Sequence, residues 1–348
     1  MQINDRPIGP NHPPYIIAEL SANHNGDIQT AFRIMEAAKD AGADAIKIQT
    51  YRPDTITIDH HGPEFMIKGG LWDGKRLYDL YDWAHTPWDW HEALFRKARA
   101  LDVTLFSSPF DHSAVDLLEG LNAPAYKIAS FELVDLPLIR RVAQTGKPMI
   151  MSTGMANDVE IAEALACAHD AGAQDVVLLH CVSGYPAPAS DYNLATLPDM
   201  ATRFGVMTGL SDHTLDNTAA VTSVGLGAVM IEKHVTLDRD GGGPDDSFSL
   251  EPPELAQLVQ GARTAWQARG QVDYGLKSSE QGNAQFRRSL YVVEDIPAGG
   301  TLTPQNIRSI RPGFGLAPKH YDKVLGMRAT SALPRGTALS WDALDGSD

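Results

Sequence analysis

Residues 28–49 read IQTAFRIMEAAKDAGADAIKIQ, and this stretch decides how the chain folds. Apolar residues recur at helical spacing up to the AGA at Ala41–Ala43, where a glycine can end a helix. The apolar run AIKIQ at Ala45–Gln49 then has the length of a strand buried on both faces. The same order returns over residues 158–180, DVEIAEALACAHDAGAQDVVLLH, with a second AGA at Ala171–Ala173 and a strand-like run at Val176–His180.

Six more short apolar runs carry the pattern along the chain: Tyr15–Leu20, Thr104–Ser107, Ala125–Ile128, Met149–Ser152, Gly205–Gly209 and Val229–Lys233. Eight strands alternating with helices predict an α/β fold of the closed parallel kind, a (β/α)8 TIM barrel over residues 1–270. Its last helix is expected at Leu255–Gly270. Residues 271–288 are polar and read as a linker. Residues 289–348 are rich in Pro and Gly and form a second, smaller domain. Within it DIPAGGTLTPQNI and ALPRGTALSWDAL share a hydrophobic–Pro–x–Gly–x–x–Leu unit, an internal pseudo-repeat.

The segment from Leu71 to Ala100 exceeds a minimal crossover and holds four of the six tryptophans, Trp72, Trp83, Trp88 and Trp90. It reads as an extended loop followed by a helix, serving either as a hydrophobic lid or packing insert or in a direct substrate role.

The balance of 43% hydrophobic and 21% charged residues places the chain among ordinary globular proteins, large enough to need no disulfide framework. Its two cysteines, Cys167 and Cys181, sit in apolar surroundings without zinc-site spacing. The N-terminal stretch lacks an apolar signal region and no run reaches membrane-spanning length, so a cytoplasmic protein with no membrane partner is expected. A net charge of −15 argues against nucleic acid as a partner. An anionic substrate would then need a locally basic pocket.

Barrel chemistry gathers at the C-terminal strand ends. Glu19 ends the first strand, and Lys47 and Gln49 alternate onto one inward face of the second. Ser108 ends the third, Lys127 lies in the fourth with Ser130 just beyond it, and Ser152 ends the fifth. Ser183 and Tyr185 follow the sixth strand, Ser211 and His213 the seventh, and Glu232 and His234 close the eighth. Lysines are seldom buried without an anionic partner, so Lys47 and Lys127 among hydroxyls predict a bound phosphate or carboxylate. His213 and His234, on adjacent strand ends, predict a shared divalent metal with positions left open for water and substrate. Glu232, on the same strand face as His234, would ligate or orient.

IAELSANHNG, KIQTY, FSSPFD, YKIAS, STGM, LLHCVSGYPAP, GLSDHT and EKHVTLDRDGGGPDDSFSL follow one another across the barrel. Together they resemble the sialic acid synthase family, whose members condense phosphoenolpyruvate with an N-acetyl amino sugar. The tail resembles that family's C-terminal antifreeze-like (SAF, β-clip) domain. SANHNG, KIQTY and FELVD resemble the pseudaminic acid branch more than the N-acetylneuraminate or legionaminate branches. The sugar so implied is 2,4-diacetamido-2,4,6-trideoxy-altrose.

The resemblance implies a role for each matching position. Lys47, Ser108, Lys127, Ser130 and Ser152 would hold phosphoenolpyruvate, mainly by its phosphate. Ser211 and the Ser183–Tyr185 loop would meet its carboxylate or the sugar. Glu19, Gln49, Tyr185 and Asp245 would face the sugar, with Phe286 close by. His213 and His234 would bind the metal, Mn²⁺ before Mg²⁺ or Co²⁺, and Glu19 and Glu232 are the candidates for proton transfer. Arg311 in RPGFG would come from a neighbouring subunit, which makes the expected assembly a domain-swapped homodimer. Ser183 departs from the family pattern, which often has asparagine there. Two rival readings are a Schiff-base aldolase using a strand lysine and a non-catalytic carbohydrate-binding scaffold.

Overall fold

A computed structural model describes residues 1–346. Its eight barrel strands are Tyr15–Glu19, Ala45–Thr50, Thr104–Pro109, Tyr126–Ile128, Met149–Ser152, Val176–Cys181, Met207–Asp212 and Met230–His234. All neighbours are parallel, and the last strand closes on the first with Met230 opposite Tyr15 and His234 opposite Glu19. The helix Ile28–Asp40 begins where the Asp27 carboxylate accepts the Gln29 and Thr30 N–H groups, satisfying donors that the first turn leaves free. It buries Ala31, Ile34, Met35 and Ala38, one stripe at helical spacing. Gly42, at φ +91°, reverses the chain into the second strand.

The seventh strand differs from the expected Gly205–Gly209. The helix Thr196–Phe204 ends on Gly205 in a left-handed conformation, so pairing starts at Met207 and runs through Ser211 and Asp212. The Leu71–Ala100 segment is also more ordered than a loop and one helix. It contains two helices, Leu77–Ala84 and His91–Ala100, joined through a short turn at Trp88–Trp90. His91 anchors that turn: its Nδ1 reaches the Pro87 and Trp88 carbonyls and its Nε2 meets Thr50 Oγ1 at 2.8 Å.

The alternation of side chains along each strand sorts the molecule into two cores. Outward residues such as Ile16, Ile46, Leu105, Tyr126, Met151, Leu178, Leu210 and Ile231 meet the helices. Inward residues Tyr15, Ile17, Ala45, Phe106, Ala125, Ile150, Val177, Leu179 and Met230 fill the barrel's lower half, and Ile3 and Ile8 of the N-terminal segment pack against them. The lower barrel is therefore packed solid, and the polar inward residues occupy only its upper end.

Lys233 points the other way, into the helix layer. It is buried and bonds Asp212 Oδ2 at 2.9 Å and the carbonyls of Thr214 and Asp216, each at 2.7 Å.

The chain divides into two compact units at Gly270 and Gln271. Residues 271–288, expected as a linker, group with the second unit. There they form a 3-10 run at Ser278–Phe286, and Gln285 accepts a hydrogen bond from the Gly313 N–H at 3.0 Å. The two pseudo-repeat units pair with each other, since Ile296 and Leu333 exchange backbone hydrogen bonds of 2.9 and 2.8 Å. Gly299 and Gly336 hold the matching left-handed turn positions. A separate core of Leu290, Val292, Ile307, Val324 and Leu339 lies beneath them.

Removing one member of a buried ion pair strands the other charge, at a cost of about 3–5 kcal/mol. Lys233→Met is expected to lower the barrel unit's urea stability by this order. Lys233→Met combined with Asp212→Asn should lose distinctly less.

Candidate active site

Four charged side chains meet inside the barrel mouth. Lys47 Nζ lies 2.8 Å from Glu19 Oε2 and 3.4 Å from Glu232 Oε1, and Lys127 Nζ lies 3.0 Å from that same Glu232 oxygen. All four are at most 3% exposed. The sequence pointed to a bound anion as the partner of both lysines. In the structure carboxylates take that place, because inward alternation aims Glu19 and Glu232 at the same axis.

The cluster holds two positive and two negative groups, and its carboxyls are driven apart. Burial raises Glu19 above the ordinary carboxylate range, with Lys47 opposing. Burial pushes Glu232 the same way, but Lys127 and Lys47 outweigh it and hold Glu232 below that range. Among the lysines, burial would lower Lys47, yet Glu19 and Glu232 keep it raised. Lys127 is lowered, burial prevailing over Glu232. Two carboxyls pushed in opposite directions divide naturally into a proton carrier and a fixed anion.

Hydroxyls ring the lysines. Lys47 donates to Ser108 Oγ at 3.2 Å. Ser130 Oγ accepts the Gly154 N–H at 3.1 Å, and a Cβ on Gly154 would collide with the hydroxyls of both Ser130 and Ser183. The hydroxyls of Ser152 and Ser183 are buried with no hydrogen-bond partner. Unsatisfied buried donors are costly, so this pocket is built to receive acceptor oxygens.

His213 and His234 stand beside it, their ring centres 5.4 Å apart. His213 Nδ1 bonds the Val182 carbonyl at 2.8 Å, and the ring also hydrogen-bonds the Cys181 side chain. His234 is lowered well below its usual value by burial and by His213, so it is neutral, and its buried Nδ1 has no hydrogen-bond partner. Asp245 Oδ2 lies 3.7 Å from that atom, beyond a hydrogen bond. Two imidazoles sharing one ion through nitrogens about 2 Å away place their ring centres roughly 5 Å apart, so the pair fits a common metal. Among the described residues no group of three or more His, Cys, Asp and Glu side chains is arranged to hold an ion. Water and substrate oxygens would complete the coordination.

Above this layer lie Gln49, whose amide donates to Glu19 Oε1 at 3.2 Å and Ser21 Oγ at 3.0 Å, and Asp245, which accepts the Ser21 hydroxyl. Tyr185 stacks on His213 at 4.3 Å and packs near Phe248 at 5.3 Å. Ser211 is buried at the end of the seventh strand. The barrel thus brings together every expected site residue of its own unit. Phe286 and Arg311 belong to the second unit, where both are exposed.

Two groups escaped the sequence reading. Cys181, which the sequence shows only in apolar surroundings, follows Val177 and Leu179 onto the inward face. Burial would raise its thiol, but His213, Ser130 and Lys127 hold it below the usual value. Strand alternation from Leu179 could have placed it. Glu132, just past Ser130, has a buried Oε2 without a partner, and burial pushes its carboxyl up to about 7, despite Lys127 and Lys47. No periodic signal marks a residue in a short 3-10 turn.

The sequence profile of the NeuB family matches residues 34–274, most of the chain. The chain belongs to the NeuB family. A SAF domain follows at residues 287–345. The chain is 43% identical over 336 residues to a pseudaminic acid synthase of Helicobacter pylori, covering 96% of this chain and 99% of that relative. It is 33% identical to an N,N'-diacetyllegionaminic acid synthase of Legionella pneumophila, covering 98% of this chain and 97% of the relative. The solved N-acetylneuraminic acid synthetase of Leptospira borgpetersenii superposes with a TM-score of 0.74 at 30% identity, over 82% of this chain and 95% of that one. This NeuB-family chain is a phosphoenolpyruvate-dependent nonulosonic acid synthase, a transferase.

Glu132 offers a test with a defined sign. Its folded-state value is raised, so the folded chain keeps a proton that the unfolded chain releases above the ordinary carboxylate range. Stability is then lost as pH rises from about 4.5 to about 7. Glu132→Gln is expected to stabilise the barrel unit by up to about 3 kcal/mol at pH 8 and by much less at pH 5. Urea unfolding at the two pH values measures the difference.

Proposed function

We propose that the chain is a pseudaminic acid synthase. It would join phosphoenolpyruvate to 2,4-diacetamido-2,4,6-trideoxy-altrose, with water, and release phosphate by C–O cleavage. The observation that carries this reading is the barrel-mouth pocket that sets Lys47 and Lys127, each paired with a buried carboxylate, among the unpartnered hydroxyls of Ser152 and Ser183. The identity to the Helicobacter pylori relative, above that to the legionaminic acid synthase, supports the choice of sugar. An N-acetylneuraminate or legionaminate synthase is the second reading.

In this reading Lys47, Lys127, Ser108, Ser130 and Ser152 hold the phosphate, and Ser183 and Ser211 meet the carboxylate. Gln49, Tyr185 and Asp245 face the sugar. The C3 carbon of phosphoenolpyruvate attacks the aldehyde carbon, water adds at C2, and the two lysines favour the charge that develops on departing phosphate. Glu19, raised by burial, carries the proton, while Glu232 stays ionised and positions Lys127. Holding both reactants in one pit supplies the orientation that a bimolecular reaction lacks.

His213 and His234 would hold the divalent ion, Mn²⁺ before Mg²⁺ or Co²⁺. When bound, such an ion polarises a carbonyl oxygen as a Lewis acid.

Phosphate release from phosphoenolpyruvate, measured against a panel of acetamido sugars, tests the reading. The 2,4-diacetamido-2,4,6-trideoxy sugar should be turned over at least tenfold more efficiently than N-acetylmannosamine; a reversed order would favour the second reading. Released phosphate should keep an ¹⁸O label placed at the bridging oxygen, because the C–O bond is the one that breaks; label left on the sugar acid would count against this step. EDTA should abolish turnover, with Mn²⁺ restoring it. His234→Ala should lose at least a hundredfold in activity and, by calorimetric titration, its Mn²⁺ binding.

Arg311 in this reading serves a second copy, in a domain-swapped homodimer. Mixed Arg311→Ala and Lys127→Ala chains should recover activity after co-expression, because one barrel of each hybrid pair is then intact. Absence of recovery would speak against exchange between copies.

A further inference from the structure

Residues 66–76 form a small hairpin at the barrel's upper end. Met66 bridges Arg76, Ile67 N–H donates to the Lys75 carbonyl at 2.9 Å, and Gly74 N–H donates to the Ile67 carbonyl at 3.0 Å. The tip turns through Gly69, Gly70 and Gly74, all with positive φ. Its base is tied down by Arg76, which pairs with Asp79 and with Asp59 Oδ1 at 2.6 Å. The hairpin is thus a braced arm, and it carries Trp72.

Trp72 ties three parts of the mouth together. Its ring lies 5.8 Å from that of Tyr185, which itself stacks on His213. Its Nε1 donates to the Pro244 carbonyl at 3.1 Å, one residue before Asp245. Indole has a single polar group, a donor, and that donor is already used. The half-buried ring therefore offers a ligand only apolar surface. It also adjoins the two residues, Tyr185 and Asp245, that the proposed function assigns to the sugar.

We infer that Trp72 is a specificity-determining residue, the apolar plate against which the methyl-bearing end of a deoxygenated acetamido sugar lies. This rests on the synthase reading and deepens it by naming what selects the sugar. A methyl group against an indole face gains burial at no polar cost. A hydroxymethyl group in its place must give up water without finding a partner, because Trp72 has no free donor or acceptor. Differences of one small group in an apolar pocket amount to roughly 10- to 200-fold in selectivity.

The test compares full-length wild type, Trp72→Phe and Trp72→Ala, each assayed with the 2,4-diacetamido-2,4,6-trideoxy sugar and with N-acetylmannosamine. Trp72→Ala should raise the KM for the deoxy sugar about tenfold or more, leave the KM for phosphoenolpyruvate within about twofold, and narrow the preference about tenfold. Trp72→Phe keeps an aromatic face without the indole donor, so it should retain most of the preference. The deoxy sugar should also perturb wild-type tryptophan fluorescence in a titration, a signal that Trp72→Phe loses. The inference is overturned if both variants keep wild-type preference and sugar KM. Equal damage to sugar and phosphoenolpyruvate KM in Trp72→Phe would overturn it too, since that would mark the hydrogen bond to Pro244 as a structural tie. Wild type that does not turn over the deoxy sugar would instead sink the pseudaminic acid synthase reading itself.

Discussion

The buried charges of Glu19, Lys47, Glu232 and Lys127 are the constraint on which the upper barrel depends. No member could stand alone in so dry a place, since an unpaired buried charge is far costlier than a paired one. They are stable because the closed barrel brings the first, second, fourth and eighth strands to one axis. The arrangement also leaves the site responsive. A phosphate oxygen can take over Glu19's place on Lys47, and the carboxyl so released is one that burial already inclines to accept a proton. The same cluster therefore keeps the empty barrel neutral and prepares it for an anion.

Around that cluster the barrel separates duties by depth. Packed apolar side chains fill the lower half, charges and hydroxyls the next layer, and aromatic rings with Asp245 and Gln49 the rim. Each layer sets the dielectric for the one above it. The raised Glu19 and the neutral His234 both follow from burial above a dry floor.

Much of this was legible in the sequence because a period of two is hard to mistake in a buried strand. Lys47 with Gln49, and Glu232 with His234, fall on one face by counting alone. Their mutual pairing is not legible, because strand order around a closed barrel sets which ends meet, and nothing in the sequence ties Glu19, expected at the sugar and as a proton-transfer candidate, to Lys47. The start of the seventh strand was missed because Gly205 serves a helix end and a strand start equally well until the backbone angle is known. Trp72 was visible as one of four clustered tryptophans, but its place over Tyr185 depends on the hairpin geometry of residues 66–76, which composition does not encode. Glu132 sits in a single turn without period.

Lys233 has an implication for how the eighth strand finds its alignment during folding. Glu232 and His234 face inward because Lys233 faces outward, where Asp212 and two carbonyls grip it. A slip of one residue would thrust that ammonium group into the reaction chamber and press a carboxylate against greasy helices. Both errors are severe, so misaligned pairings are strongly disfavoured. The outer clasp thus acts as a phasing pin, and the chemistry of the interior inherits its accuracy from a residue that never touches it.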